Sequence, residues 1–149
     1  MEPARQPQPR RAPRLLAVDP GERRTGIALS DELGLFAHPR PAIVANGRHS
    51  LVAALRNVVE AEGVSEVVVG LPLSLSGRES EQTTRSRALI AELRQQIGVP
   101  VTEWDERLSS AEAARRVPSR RHRTGELDSE AASIILQAVL DSRRGALVT

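Results

Sequence analysis

The fold is decided by residues 15–30, which read LLAVDPGERRTGIALS. Leu15–Asp19 is a short, continuous apolar run that ends in a carboxylate, which predicts a central, buried strand. Pro20 and Gly21 break this strand, and strand character resumes at residues 25–30, so the two segments are predicted to form a hairpin. An acid at the end of a central strand lies at the carboxyl edge of the sheet, where open α/β folds build their sites.

The remaining segments alternate between strand and helix patterns. Residues 35–45 predict a third strand, and Pro39 and Pro41 demote it to a sheet edge because proline cannot donate to a ladder. Helical crossovers make the later strands parallel to the first. We therefore predict an α/β fold with a five-stranded mixed sheet, in which three antiparallel strands precede two parallel ones. The later elements are predicted as helix 50–62, strand 66–70, helix 77–98, strand 99–104, a helix from the Ser109–Glu112 capping box, and helix 128–142.

Apolar residues at helical spacing predict the buried faces of the helices. Gly63 and Gly98 are predicted to end the first and second helices. The predicted inner faces are Leu51, Leu55, Val58 and Val59; then Leu89, Leu93 and Ile97; and finally Ala131, Ile134, Ile135, Ala138 and Val139.

The composition fits one compact domain, predicted over residues 14–149 of the 149-residue chain. Phe36 and Trp104 are the only aromatic residues, so the core must be aliphatic. The absence of cysteine excludes disulfides, thiolate zinc sites and a catalytic thiol, and is compatible with the cytoplasm, where we expect the protein. No apolar run approaches the roughly 20 residues that span a bilayer, and no secretory signal is expected.

Positive charge is carried by arginine alone: all 21 basic residues are Arg, and the formal net charge is +2. Arginine stays charged and binds phosphate in a bidentate way. Residues 1–13 are rich in proline and arginine, and they are predicted to be a disordered tail. That tail is either without function or an electrostatic arm for nucleic acid.

Three aspartates occupy comparable positions, because Asp19 and Asp105 end predicted strands and Asp128 opens the last helix. Singly, they are also explained as a turn cap, a charged loop residue and a helix cap. Together they converge on one sheet edge, where three carboxylates require a counter-charge. Oxygen ligands select Mg²⁺ or Mn²⁺, and two such ions about 3.5–4 Å apart catalyse phosphodiester hydrolysis. Glu106 is either a fourth ligand or a solvent-facing residue, and we favour solvent.

Residues 70–77 (GLPLSLSG) join a strand to a helix. This loop either binds phosphate through backbone N–H groups at the helix start or is a plain turn. It is not a Walker A loop, because the glycines are too far apart and Arg78 and Glu79 replace Lys-Ser/Thr. The candidate nucleic-acid contacts are Arg23, Arg24, Ser74, Ser76, Arg78, Arg85, Arg107, Arg120, Arg121 and Arg123.

Four ordered motifs across residues 14–142 resemble the YqgF/RuvX family. They are DPGERRTGIALSD at 19–31, VGLPLSLSG at 69–77, DERLSS at 105–110 and LDSEAASIIL at 127–136. The resemblance implies an RNase H-like three-layer fold related to the Holliday-junction resolvase RuvC, with Asp19, Asp105 and Asp128 as metal ligands. The RuvC pattern also carries an acid at the end of the fourth strand, which this chain lacks around Gly70. The resemblance further implies processing of the 5′ end of pre-16S rRNA, or resolution of branched DNA.

The leading hypothesis is a metal-dependent endonuclease acting on ribosomal RNA precursor. Its close rival is a junction-resolving DNA nuclease, for which a two-fold homodimer is favoured. A non-catalytic nucleic-acid-binding module for ribosome assembly is the second class of function. An actin-like ATPase, suggested by Asp-x-Gly after a strand, needs two lobes that 149 residues cannot build.

Overall fold

The computed structural model describes residues 12–73, 76, 78–111 and 129–148. Eleven residues of the predicted tail, 1–11, lie outside this part, and the Ala12 N–H donates a hydrogen bond to the Glu32 carbonyl (3.1 Å). The strands are β1 (Leu15–Asp19), β2 (Arg24–Ser30), β3 (Ala37–Val44), β4 (Glu66–Leu71) and β5 (Val101–Asp105). The long helices are α1 (Arg48–Glu62), α2 (Glu81–Gln96) and α3 (Glu130–Val148).

The strands form one mixed sheet in the order β3-β2-β1-β4-β5, which confirms the predicted class and topology. β1 is the central strand, and it pairs antiparallel with β2 and parallel with β4. β3 lies at the edge, as Pro39 and Pro41 predict. The third strand is shorter than predicted, because β3 begins at Ala37 and ends at Val44.

The sheet has two covered faces that differ in side-chain size. The α1/α2 face carries Leu16, Val18, Val67 and Val69, which pack on the buried sides of α1 and α2. The α3 face carries smaller residues, including Ala17 and Ala28, which pack on α3. Because successive side chains of a strand point to opposite faces, each residue of β1 and β4 is assigned to one face by its position.

α1 begins two residues earlier than predicted, after Gly47, and ends at Gly63 as predicted. Gly63 has φ 63° and ψ 40°, a left-handed conformation that glycine adopts without steric cost. The buried side of α1 is Val52, Leu55 and Val59, whereas the predicted Leu51 and Val58 are only partly buried.

α2 begins at Glu81 and not near residue 77, because the Ser80 hydroxyl accepts the Thr83 N–H (3.1 Å) and caps the helix there. The helix ends at Gln96, and Ile97 is already extended, so Gly98 is not its terminating residue. The predicted inner face is confirmed, because Leu89, Leu93 and Ile97 are all buried.

α3 runs from Glu130 to Val148 and extends beyond the predicted end at residue 142. Ala131, Ile135 and Val139 are buried as predicted, but Ile134 and Ala138 are only partly buried. The second buried row is Ala132, Leu136 and Leu140, which the prediction missed. Of the helix predicted from Ser109, residues 109–111 are described, Ala111 is helical, and the remainder lies outside the described residues. No helix in the described part of the chain is long and apolar enough to cross a membrane.

Candidate active site

Asp19 is a buried acid at the carboxyl end of the central strand, and its exposed fraction is 7%. Leu15 and Ala17 of the same strand belong to the core on the α3 face. The alternation of the strand therefore directs Asp19 to that face as well. The structure therefore places this carboxylate as predicted, at the carboxyl end of the central strand.

Glycines flank Asp19 on both neighbouring strands. Gly26 of β2 is its direct antiparallel partner. On the other side, the pairing of Val18 with Val69 brings Asp19 level with Gly70 of β4. The two glycines leave the space around Asp19 on the α3 face unfilled by sheet side chains.

The side chain of Glu106 occupies the space above Gly70. A Cβ atom placed on Gly70 would lie 2.7 Å from Glu106 Oε1 and 2.8 Å from Ile135 Cδ1. Glu106 is 3% exposed, so the expectation that it faces solvent is wrong. The absence of a side chain at Gly70 therefore lets a carboxylate from beyond β5 reach the strand next to Asp19.

A short 3-10 turn, Glu106–Leu108, directs Glu106 inward. The turn is fixed by Ser109, whose backbone N–H (3.1 Å) and hydroxyl (3.2 Å) both donate to the Glu106 carbonyl. The Ala111 N–H in turn donates to the Ser109 hydroxyl (3.4 Å). These contacts hold the backbone that carries the buried carboxylate.

Asp105 is engaged differently from its neighbour Glu106. Its carboxylate accepts hydrogen bonds from the Arg107 guanidinium (Nε at 3.0 Å, Nη2 at 2.7 Å) and from the Arg107 N–H (3.0 Å). These bonds, the guanidinium contact above all, lower the pKa of Asp105 below its ordinary value and raise that of Arg107. Asp105 is thus an ionised group neutralised by a bidentate arginine at the surface.

The amino end of α3 docks beside Asp19. The Ser129 hydroxyl is buried and accepts the backbone N–H of Ile27 (3.0 Å), one residue from Gly26. Asp128, the third predicted ligand, directly precedes Ser129 and lies outside the described residues. The residue predicted as the third metal ligand, Asp128, therefore directly precedes a serine that packs on β2.

The predicted nucleic-acid contacts divide into those within the described part of the chain and those outside it. Ser74 and the basic loop residues lie outside the described part. Arg23, Arg24, Ser76, Arg78 and Arg85 are exposed around the same edge of the sheet. Among the described residues, Arg85 pairs with Glu22 (3.5 Å) and Arg107 pairs with Asp105. The basic loop residues outside the described part are Arg120, Arg121 and Arg123.

The family model described as "RuvX: Holliday junction resolvase" matches residues 13–142. The chain belongs to the RuvX family. This membership confirms the resemblance that the four motifs predicted, and it confirms the nuclease class of the activity.

Curated relatives cover most of this RuvX chain. It is 41% identical over 134 residues to a "Putative pre-16S rRNA nuclease" of Koribacter versatilis, covering 87% of this chain and 88% of the relative. A protein of the same name from Anaeromyxobacter dehalogenans is 40% identical, covering 87% of this chain and 98% of the relative.

Solved structures confirm the fold predicted for a RuvX protein. RuvC of T. thermophilus in complex with a Holliday junction superposes with a TM-score of 0.58 at 15% identity, covering 90% of this chain and 97% of that one. The fowlpox virus Holliday junction resolvase superposes with a TM-score of 0.50 at 11% identity, covering 87% and 99%. At these identities the likeness concerns the fold.

From the sequence, Asp105 was preferred to Glu106 as a metal ligand, and the structure shows how the two acids differ. The available signal was Gly70. A glycine at the end of β4, on the face where Asp19 points, leaves a space that another side chain must fill. Only the 3-10 turn after β5 decides which of two adjacent acids fills it, and three residues carry too little pattern to reveal such a turn.

Proposed function

We propose that this protein hydrolyses phosphodiester bonds in nucleic acid with divalent cations held by Asp19, Glu106 and Asp128. The observation that carries the proposal is the buried Glu106 carboxylate above Gly70, on the strand adjacent to Asp19. In the RuvC pattern the fourth strand itself supplies an acid at its end. Here Glu106 brings a carboxylate to the same strand from the 3-10 turn that follows β5.

The donor set fits magnesium or manganese. Asp19 and Glu106 are two buried acidic side chains at one edge of the sheet, and a divalent cation would supply a counter-charge for them. Carboxylate oxygens are the ligands that Mg²⁺ and Mn²⁺ prefer. Within the described residues no group of three acids or histidines is assembled. Asp128, adjoining Ser129, is proposed as the third ligand.

Asp105 has a different proposed role. Its two oxygens are already engaged by Arg107, and withdrawing them to bind a metal would leave that guanidinium without its partner. Asp105 instead holds Arg107 at the sheet edge, where the arginine is a candidate phosphate contact. The predicted ligand set of Asp19, Asp105 and Asp128 is thereby revised at one position, with Glu106 in place of Asp105.

The residues of the site position the substrate and the cations. When bound, two cations would supply an activated water and stabilise the leaving oxygen. Ile135 and the small residues of the α3 face exclude bulk water from one side of the carboxylates, which strengthens their electrostatic contacts. The surrounding arginines would neutralise the phosphates on either side of the scissile bond.

We propose pre-16S rRNA as the substrate, with cleavage near its 5′ end in the cytoplasm. The names of curated relatives at up to 41% identity support it. Resolution of a four-way DNA junction is the second candidate, supported by the description of the matching family model. Cutting a symmetric junction requires two active sites, so the second candidate also predicts a two-fold homodimer.

Parallel cleavage assays test the proposal and separate its two substrates. A 5′-extended 16S rRNA end and a four-way DNA junction are incubated with the protein and Mg²⁺ or Mn²⁺, with Asp19→Asn as the control. We expect metal-dependent cleavage of the rRNA end that Asp19→Asn abolishes. Equal cleavage by Asp19→Asn and wild type would contradict the site.

Binding measurements address the non-catalytic alternative. A binding module would retain substrate affinity in EDTA and would show no cleavage above the Asp19→Asn background with either substrate. Sedimentation with and without junction DNA then tests the dimer that the second candidate requires.

A further inference from the structure

A cleft opens on the α1/α2 side of the β1–β2 turn, across the sheet from Glu106. It contains about 640 Å³ of empty space, part of it open to solvent. Its walls come from the turn that follows Asp19, the start of α1 and the amino-terminal half of α2. Its lining includes Pro20, Arg23, Ala45, Arg48, Arg85 and Leu89.

The rim of this cleft is basic. Arg23, Arg48 and Arg85 line it, against the single acid Glu22. The Glu22–Arg85 ion pair is long (3.5 Å), and both of its side chains are largely exposed, so a phosphate displaces it at little cost. Arg48 is paired with Glu92 (3.2 Å), which does not line the cleft. The rim therefore suits an anion and is partly ordered before one arrives.

The floor of the cleft is apolar. Pro20 and Leu89 are buried, and Leu51 is partly buried. A phosphate alone gains nothing from such a floor, whereas a nucleobase has a flat apolar face to place there. No aromatic residue lines the cleft, so stacking must come from a guanidinium plane, as arginine provides for unpaired bases. The combination of basic rim and apolar floor fits a nucleotide better than an inorganic anion.

The position of the cleft relates it to the active site. Pro20 lines the cleft and directly follows Asp19, whose side chain lies on the opposite face of the sheet. A strand that crosses the carboxyl edge would present one phosphate to Asp19 and an adjoining nucleotide to the cleft. A base can enter only when it is unpaired, because a paired base is covered by its partner and its stacked neighbours.

We propose that this cleft binds one unpaired nucleotide of the substrate strand beside the scissile phosphate. The proposal rests on the nuclease function proposed above and adds a preference for substrates with a single-stranded flank. It thereby favours an RNA end over a fully paired four-way junction.

The test measures binding and not cleavage. Fluorescence anisotropy follows labelled five-nucleotide single strands of RNA and DNA, and a blunt duplex, on full-length Asp19→Asn protein in EDTA. The double variant Arg23→Ala/Arg85→Ala removes two rim charges. The matched control Arg56→Ala/Arg144→Ala removes two charges elsewhere, from arginines that pair with Glu60 and Asp141.

We expect the rim variant to raise the Kd for single strands about tenfold or more, and the control to change it far less. The slope of log Kd against log salt should fall by about 1.4, because each single-strand phosphate contact contributes about 0.7. Duplex binding should change less than single-strand binding. RNA and DNA strands should respond alike unless the 2′-hydroxyl is also contacted.

A second variant probes the floor without altering charge. Ala45→Phe fills the cleft and should weaken single-strand binding while the melting temperature stays near that of wild type. Unchanged single-strand binding in both cleft variants would overturn the proposal, as would equal losses for single strand and duplex. Either result leaves the nuclease proposal to be judged by its own cleavage assay, because binding in EDTA is independent of the cations.

Discussion

The two faces of the sheet are built from the same strands but are packed for different purposes. The α1/α2 face buries branched side chains such as Leu16, Val18 and Val69 against two helices. The α3 face buries small ones such as Ala17 and Ala28 against a single helix. Large side chains maximise the apolar area removed from water, whereas small ones leave room for carboxylates. The comparison indicates that one face stabilises the fold and the other accommodates the chemistry.

The largest expected effect is on the α3 face and on activity. Glu106→Gln keeps the size of the side chain but removes its charge, so cleavage should fall by about 100-fold or more. Asp105→Asn is the matched control in the same turn, and it should cost less because Arg107 already neutralises that carboxylate. Single-turnover rates with saturating Mn²⁺ measure both. A greater loss in Asp105→Asn would return the ligand role to Asp105.

The second largest expected effect is a loss of stability caused by a substitution on the α1/α2 face. Leu93 is fully buried, and Leu93→Ala should lower the free energy of unfolding by about 2–5 kcal/mol. The rate of cleavage per folded molecule should stay unchanged. Leu33→Ala, at a residue that is 72% exposed, is the control and should change stability by less than about 0.5 kcal/mol. Urea unfolding measures both, and an active-site defect in Leu93→Ala would break the division between the faces.

Gly70→Ala should affect both activity and stability, because Gly70 lies where packing and chemistry meet. The added methyl would lie 2.7 Å from Glu106 Oε1 and 2.8 Å from Ile135 Cδ1. We expect a loss of about 1–3 kcal/mol in stability together with loss of cleavage. Ile135→Val in the same chain should recover stability but not cleavage. Gly98→Ala is the control, because a Cβ atom at Gly98 would meet no atom within 4 Å. Wild-type cleavage by Gly70→Ala would contradict the proposed position of Glu106.

The smallest expected effect is electrostatic and depends on pH. Arg143 of α3 binds Glu66 of β4 through two hydrogen bonds (2.9 and 2.7 Å), and it holds the pKa of Glu66 below its ordinary value near 4.5. A depressed folded-state pKa contributes stability above the unfolded pKa, and this contribution is lost as the pH falls through the folded pKa. Glu66→Gln should therefore cost up to about 1 kcal/mol at neutral pH.

The pH series supplies the check on that pair. The difference in melting temperature between wild type and Glu66→Gln should shrink as the pH falls below about 4.5, where Glu66 becomes protonated in the unfolded and then in the folded chain. The difference in melting temperature between wild type and Arg143→Gln should shrink over the same pH range. A difference that is constant down to pH 3 would show that the ion pair contributes nothing to anchoring α3.

The sequence predicted the sheet well because its signals are local and strong. The continuous run ending at Asp19 and the break at Pro20 specify a hairpin, and Pro39 specifies an edge. The four-residue spacing of Leu89 and Leu93 specifies one face of α2. Each of these signals depends on a few neighbouring residues and on the period of one element, so no long-range contact is needed to interpret it.

Two features could not be predicted, and both depend on tertiary packing. In α3 the apolar residues surround much of the helix, so the buried row of Ala132 and Leu136 cannot be ranked above Ile134 without the sheet. At the site, Asp105 and Glu106 are adjacent acids. The 3-10 turn and the space above Gly70 determine that Glu106 is buried and that Asp105 lies at the surface. The register of β4 and β5, which sets that space, is a long-range property.

The delivery of Glu106 from beyond β5 has a consequence for the timing of synthesis. Asp19 emerges early from the ribosome, but Glu106 reaches it only after β5 has added to β4, and Ser129 docks on β2 later still. A nascent chain that has folded only its amino-terminal hairpin and first crossover therefore holds one acid of the proposed set. The ligand set proposed above is therefore complete only after translation has passed residue 129.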